Sequence, residues 1–270
     1  MIERGVLQMI WKAGCIQMNI HYGNPAANKE RAAEWIAKAA EQGCTVAVLP
    51  ELWTTGYDLD RLDEIADPGG KEALEFLKAL AVRHRIHIVG GSIAKKTEEG
   101  VKNTLFVIDS HGGLVHEYSK LHLFKLMDEH LHLEAGQEET LFSLSGEQAA
   151  GFICYDIRFP EWLRKPVLAG AKVLFVTAEW PAPRLDHWRT LLRARAIENQ
   201  SYVVACNRSG EDPKNRFAGH SMIIGPWGEI IAEGGENEEL VTGELDIDSI
   251  AEIRNRIPVF DDRRPDRYKN

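Results

Sequence analysis

The chain is short of several things, and each shortage narrows what it can be. Cysteine is scarce: four in 270 residues, at 15, 44, 154 and 206, with no C-x-x-C pair or other metal-type spacing. Cys15, Cys44 and Cys206 sit in strand-like or small-residue text and are expected to be buried and reduced, which points to a cytosolic compartment. No run is long and apolar enough to span a bilayer, and the N-terminal Met1-Ile2-Glu3-Arg4 lacks the apolar core of a signal peptide. Positive charge is also in deficit, with 32 Lys and Arg against 41 Asp and Glu, a formal net charge of −9. That balance disfavours nucleic acid and anionic membranes as partners, while leaving room for a small anionic substrate at a local cationic site. Low-complexity tracts, repeats and obvious linkers are missing too. The ten histidines show no ligand spacing beyond the near-alternating His130 and His132, read as loop or surface residues, so no metal and no cofactor is expected.

What remains is an average globular composition with enough length for a sizeable core. Trp11 to Met18 reads as a strand, and Asn24-Pro25 opens a helix that Gly43 closes. Thr45 to Leu49 is a second strand, 71–84 an amphipathic helix, and Ile86 to Gly90 a return strand. Ser110-His111-Gly112-Gly113 turns one hairpin between 103–109 and 114–118, and Pro226-Trp227-Gly228 turns another between 221–225 and 229–232. The 172–177 and 202–206 strands flank a helix over 184–199, and the acidic run from Glu233 to Glu239 reads as a solvated loop. Helix–strand units give parallel pairs and hairpins give antiparallel ones, so a mixed α/β sandwich is expected.

Three strand ends carry chemistry. Ala149 to Ile153 is an apolar run that stops at Cys154, with the polar turn Tyr155-Asp156-Ile157-Arg158 behind it. A thiol there is fixed by a rigid element yet presented at a surface, as a nucleophile must be. Val46-Ala47-Val48-Leu49 ends at Pro50-Glu51, and Val115 to Ser119 ends at Lys120, followed by Leu121-His122-Leu123-Phe124. Each of these has an ordinary explanation alone: a packed cysteine, a turn-capping glutamate, a solvated lysine. Together, a thiol, a carboxylate to take its proton and a cation to steady an oxyanion form a covalent-catalysis set.

The chain resembles the nitrilase, or carbon–nitrogen hydrolase, superfamily over nearly its whole length. The matching text is Pro50-Glu51, Lys120 to Phe124, Cys154 to Glu161, Arg193 to Asn199, Asn207 to Gly210, Gly219 to Met222 and Pro226 to Gly228, in that order. The resemblance implies a four-layer α-β-β-α sandwich with two mixed sheets face to face. It implies residues 1–9 as an extension, 10–257 as the hydrolase domain and 258–270 as a C-terminal segment at a dimer contact. It makes Glu51 the general base, Lys120 the electrophilic stabiliser and Cys154 the nucleophile. A second glutamate belongs between lysine and cysteine; Glu129 and Glu134 both fall there, with Glu129 favoured by its distance to Gly136.

Tyr57 and Trp180 follow strand ends on the expected side and are pocket candidates. Tyr155 would supply a backbone N–H to the oxyanion, and Arg158 and Arg184 join Tyr57 as candidates for a substrate carboxylate. Asp156 and Arg158 are also read as fixing the nucleophile's turn. Arg193, Arg195 and Glu198 are read as ion-paired scaffold, with Trp188 and Leu191 at a subunit interface. Within the superfamily the motifs are most similar to the omega-amidase branch, which hydrolyses the distal amide of 2-oxo acids such as 2-oxoglutaramate, in some members within methionine salvage. The readings set beside it are an N-carbamoyl-amine amidohydrolase or nitrilase, a Cys-His-Glu amidotransferase using His187 or His220, and a non-catalytic binding module. The amidotransferase lacks its Gly-x-Cys-x-Gly elbow here, since Ile153 and Tyr155 flank the cysteine.

Overall fold

The structure is a computed structural model that describes residues 9–268. One sheet holds β1 (Ile10–Gln17), β2 (Val46–Val48), β3 (Asp67–Pro68), β4 (His87–Lys96), β5 (Val101–Ile108), β6 (Leu114–Ser119) and β13 (Glu239–Asp246). Its order is β13-β1-β2-β4-β5-β6, with β3 beside β4. The other holds β7 (Leu141–Leu144), β8 (Glu147–Ile153), β9 (Val173–Ala178), β10 (Tyr202–Asn207), β11 (Met222–Ile224) and β12 (Ile230–Glu233), in the order β12-β11-β10-β9-β8-β7. Seven α-helices of the described residues run α1 (Pro25–Glu41), α2 (Leu62–Ile65), α3 (Lys71–His84), α4 (Glu129–His132), α5 (Pro160–Leu168), α6 (Leu185–Asn199) and α7 (Ser249–Arg256).

The central strands are apolar on both faces because both faces are covered. Trp11 of β1 stacks on Phe175 of β9 across the sandwich, with centroids 6.5 Å apart, and Cys206 of β10 donates to the Ile16 carbonyl. Ile36 of α1 and Leu77 of α3 bury against Ile88 and Ile108 on the outside of the first sheet. Leu163 of α5 with Trp188 and Leu192 of α6 bury against the second. The order is helix, sheet, sheet, helix, as the resemblance implies.

Local signals explain the elements. Asn24 caps α1, its Oδ1 accepting from Ala27 N, and Pro25 supplies the first helical residue. The Asp67 carboxylate accepts from Ala73 N at the start of α3, and the Asp109 carboxylate holds the 110–113 turn through His111 N and Gly113 N. Both expected hairpins form, as β5–β6 and β11–β12. The return strand continues to Lys96, well past Gly90, because it pairs with β5 beyond the point where β2 stops.

Two expectations fail. Trp188 is fully buried inside the chain, its Nε1 donating to the His220 carbonyl, so it cannot be interfacial. The 233–239 run is no simple solvated loop: Glu233 ends β12 and binds Arg189, and Glu238 accepts from Asn19 N and Arg31. These charges were placed by sheet closure, which no local pattern records. Residues 1–8 of the expected extension, and 269–270 of the C-terminal segment, lie outside the described residues; Phe260 in the latter sits under Arg164 and Arg254.

Topology positions the site. β2 and β4 run parallel, and two antiparallel steps through β5 bring β6 back into the same direction. β8, β9 and β10 are likewise parallel to one another. The residues that follow β2, β6, β8, β9 and β10 meet at one end of the sandwich, where open α/β sheets place their ligands.

A buried Glu, Lys, Cys and Glu cluster

Glu51, Lys120 and Glu129 are fully buried and Cys154 is 6% exposed. Lys120 Nζ donates to Glu51 Oε1 at 2.8 Å and to Glu129 Oε1 at 2.6 Å. Tyr57 OH donates to the same two oxygens, at 3.1 Å and 2.5 Å respectively. Asn103 Nδ2 is a third donor to Glu51 Oε1, at 2.8 Å, while Glu179 N holds Glu51 Oε2 at 2.9 Å. Glu129 Oε2 accepts from Phe124 N at 2.8 Å. Of the two candidate glutamates it is thus Glu129 that stands against Lys120; Glu134 is exposed and contributes its backbone N–H to Val101.

Backbone geometry presents these groups. Cys154 opens a tight 3-10 turn, Cys154–Arg158, with φ of 43°, a left-handed conformation that costs a non-glycine residue energy and persists where the surrounding structure over-determines it. Asp156 fixes that turn as expected, accepting from Ile153 N, Tyr118 OH and both the backbone N and ring of His122. The lysine segment and the cysteine turn are thus tied together two residues beyond each. Gly91 lets the Glu51 turn close: a Cβ there would stand 2.1 Å from the Pro50 carbonyl oxygen, at a φ of 59°.

Electrostatics sets the resting charges. Burial alone would lower the Lys120 pKa, but Glu129 and Glu51 outweigh it and hold the ammonium charged above its ordinary range. Burial pushes the Glu129 carboxyl up, against Lys120 and with Glu51 adding to the rise. Burial, then the charge of Glu51, pushes the Cys154 thiol well up, with Lys120 opposing and hydrogen bonding to Glu51 adding to the rise. The thiol rests protonated, with Glu51 the carboxylate that bears on it most.

A narrow pocket opens on the thiol, lined by Phe124, Cys154, Tyr155, Arg158, Glu179 and Arg184 among others. Arg158 lies 4.9 Å over the Trp180 ring and Arg184 lies 5.4 Å over the Phe124 ring. Neither guanidinium has a carboxylate within ion-pairing distance among the described residues; the one hydrogen bond of Arg158 is with the His187 ring, at 3.3 Å. Arg158 lines the pocket and makes no side-chain hydrogen bond within its own turn, though its guanidinium lies 5.9 Å over the Tyr155 ring of that turn.

Tyr57 and Trp180 are at the site, with Tyr57 on the carboxylates and Trp180 walling the pocket. Arg195 is scaffold: it donates to the Ile157 carbonyl and pairs with Glu198, joining α6 to the cysteine turn, while Arg193 binds the Gly228 carbonyl. His220 is engaged by Glu233 and His187 is exposed beside Arg158, so among the described residues no histidine hydrogen-bonds the thiol. His130 and His132 fall in the short α4, exposed and half-buried. The sequence reading missed Asn103 and Glu179 as site residues. The available signal was a polar side chain inside or just after an apolar run, and it does not tell a site from a satisfied core group.

A family model described as carbon-nitrogen hydrolase matches residues 12–255. The chain is 54% identical over 260 residues to a 2-oxoglutaramate amidase of Bacillus subtilis, covering 96% of this chain and all of that one. It is 33% identical to an omega-amidase of Homo sapiens, covering 89% of this chain and 91% of the relative. A solved structure from Xanthomonas campestris, described as a CN-hydrolase superfamily protein with an arsenic adduct in its active site, superposes with a TM-score of 0.89. It shares 32% identity over 95% of this chain and 98% of that one.

Proposed function

Since the chain belongs to the carbon–nitrogen hydrolase family and is an amidohydrolase, we propose that it hydrolyses the distal amide of a 2-oxo acid such as 2-oxoglutaramate, releasing 2-oxoglutarate and ammonia. The observation that carries this reading is the pair of arginines, Arg158 and Arg184, stacked on aromatic rings around the thiol and lacking carboxylate partners among the described residues. Both guanidinium groups are half-buried at the pocket, where the carboxylate of an acid amide can pair with them while its distal amide reaches Cys154. The 54% identity to a protein named 2-oxoglutaramate amidase supports the same substrate.

The steps follow from the cluster. Glu51 takes the thiol proton as Cys154 Sγ attacks the amide carbon, forming the C–S bond and a tetrahedral oxyanion. Lys120 Nζ and the Tyr155 backbone N–H stabilise that oxyanion; one such donor is worth ~2.7–4 kcal/mol of barrier. Glu51 then passes its proton to the nitrogen as the C–N bond breaks, and ammonia leaves a thioester. A water molecule, its proton taken by Glu51, cleaves the thioester; the proton returns to sulfur and the acid departs. Glu129 holds Lys120 in place and charged throughout, and Tyr57 in turn holds Glu129.

The test is ammonia release by wild type and Cys154→Ala on 2-oxoglutaramate, 2-oxosuccinamate, glutamine, simple amides, a nitrile and N-carbamoyl amines. Cys154-dependent turnover concentrated on the two oxo-acid amides is expected. Silence there, with turnover of carbamoyl amines or nitriles, moves the protein to another branch. The same reading includes a cytoplasmic homodimer with residues 258–270 near the contact, serving methionine salvage. Sedimentation as a monomer at micromolar concentration overturns the dimer.

A further inference from the structure

Glu179, the residue after β9, takes no part in the steps above, yet the proposed base is held through it. Its backbone N–H donates to Glu51 Oε2 at 2.9 Å. Glu51 Oε1 already receives Lys120, Asn103 and Tyr57, so Oε2 is the oxygen with capacity left for the thiol. The Glu179 side chain is fully buried, and its Oε2 accepts from Arg208 Nη1 at 2.9 Å. Arg208, fully buried as well, is itself held from several sides: Nε donates to the Ser209 carbonyl, Nη2 donates to Asn19 Oδ1 and the Ile20 carbonyl, and the guanidinium lies 4.2 Å over the Phe217 ring. Glu179 Oε1 has no hydrogen-bond partner and stands beside Gly56, the neighbour of Tyr57 in the turn that also carries Glu51.

A buried carboxyl–guanidinium pair contributes little to stability over an apolar replacement of the same volume even when both groups are charged, so its place next to the base asks for another reason. We infer, on the reading of Glu51 as general base, that Glu179 is a positioning residue: clamped by Arg208, it fixes the amide that aims Glu51 Oε2 at Cys154, and its carboxyl tunes the field in which Glu51 exchanges protons.

The charge on that carboxyl changes at mildly alkaline pH. Burial pushes Glu179 up to about 8 against the pull of Arg208, with Glu51 and Asp212 adding to the rise. Arg158 and Arg184 share its pocket. In the neutral form the proton belongs on Oε1, since Oε2 is committed to Arg208. Once ionised, Glu179 adds a negative charge beside Glu51, which opposes the charge that develops on the thiolate and oxyanion. Wild-type kcat is therefore expected to fall as pH rises through that value.

The experiment compares kcat and KM on 2-oxoglutaramate from about pH 6 to 9 for wild type, Glu179→Gln, Glu179→Ala and Glu51→Gln, with thermal unfolding of each. Glu179→Ala should lose on the order of 10²-fold in kcat, the scale of a misplaced reacting group, with KM little changed. Glu179→Gln keeps an acceptor for Arg208 without the charge, so it should recover most of kcat at neutral pH and lose the decline near pH 8. If the alanine variant does not fold, Glu179→Asp, which draws the carboxyl back from Arg208, carries the same expectation on kcat. Wild-type kcat and pH profile in both the alanine and glutamine variants, or a glutamine variant as slow as alanine, would overturn the inference while an inactive Glu51→Gln leaves the base standing. An active Glu51→Gln overturns the base itself.

Discussion

Replacing Lys120 with methionine keeps much of the side chain's length and removes its charge from between two buried carboxylates, 2.8 and 2.6 Å away. Breaking a buried ion pair by removing one partner costs about 3–5 kcal/mol, because the charge left behind is uncompensated. At roughly 2–4 °C per kcal/mol for a domain of this size class, the melting temperature should drop by about 6–20 °C near neutral pH. The penalty has a predictable pH dependence. In the wild type Lys120 stays charged, its folded pKa held above the ordinary value, so its contribution is present at neutral pH and lost only as pH rises through that folded value. In the variant, Glu129, already pushed up by burial, loses the cation that opposed the rise. A carboxyl with a raised folded pKa destabilises the fold above its unfolded pKa and not below it, so the deficit should be smaller at about pH 5 than at about pH 8. Turnover should fall on the order of 10²–10³-fold for loss of the oxyanion donor. Thermal unfolding at the two pH values and ammonia release check both halves. Equal melting temperatures, or turnover within a few-fold of wild type, would refute the account of Lys120 as the charge that makes this cluster possible.

Other perturbations separate the parts of the site. Cys154→Ala should leave the fold intact and reduce turnover by at least on the order of 10³-fold; because burial and Glu51 keep the thiol protonated, alkylation of wild type by a small haloacetamide should be slow at neutral pH and accelerate as pH rises. Tyr57→Phe removes a hydroxyl that binds both carboxylates, and a hydrogen bond to a charged group is worth about 1.5–3 kcal/mol, so kcat should fall roughly 10- to 100-fold with little change in KM. Arg184→Met should raise KM for 2-oxoglutaramate by roughly 10-fold or more, the loss of one charge-assisted hydrogen bond, and leave a neutral aliphatic amide unaffected; equal losses on both substrates would remove Arg184 from carboxylate binding.

Much of this was legible before any coordinates. A strand run that stops at a thiol, a carboxylate or an ammonium is a local pattern that residues 46–51, 115–120 and 149–154 display. In the first and last it arises because a parallel strand buried on both faces must end where its chain turns polar, whereas 115–120 is a half-buried antiparallel edge strand. Helix and hairpin limits were readable for the same reason, since caps and turn residues act within a few positions. Choosing Glu129 over Glu134 needed the structure, because both lie within the same short polar stretch and only one can face Lys120 once the backbone takes its left-handed step at Asp128. The burial of Trp188, the pairing of Glu238 with Arg31 and the clamp of Glu179 on Arg208 join residues 32, 207 and 29 positions apart or more. Hydrophobic patterning along the chain determined which segments would be strands, where they would stop and which reactive groups they would carry. Which of those groups meet, at what distance and with what charge, was decided only when two sheets closed on each other and took the water away.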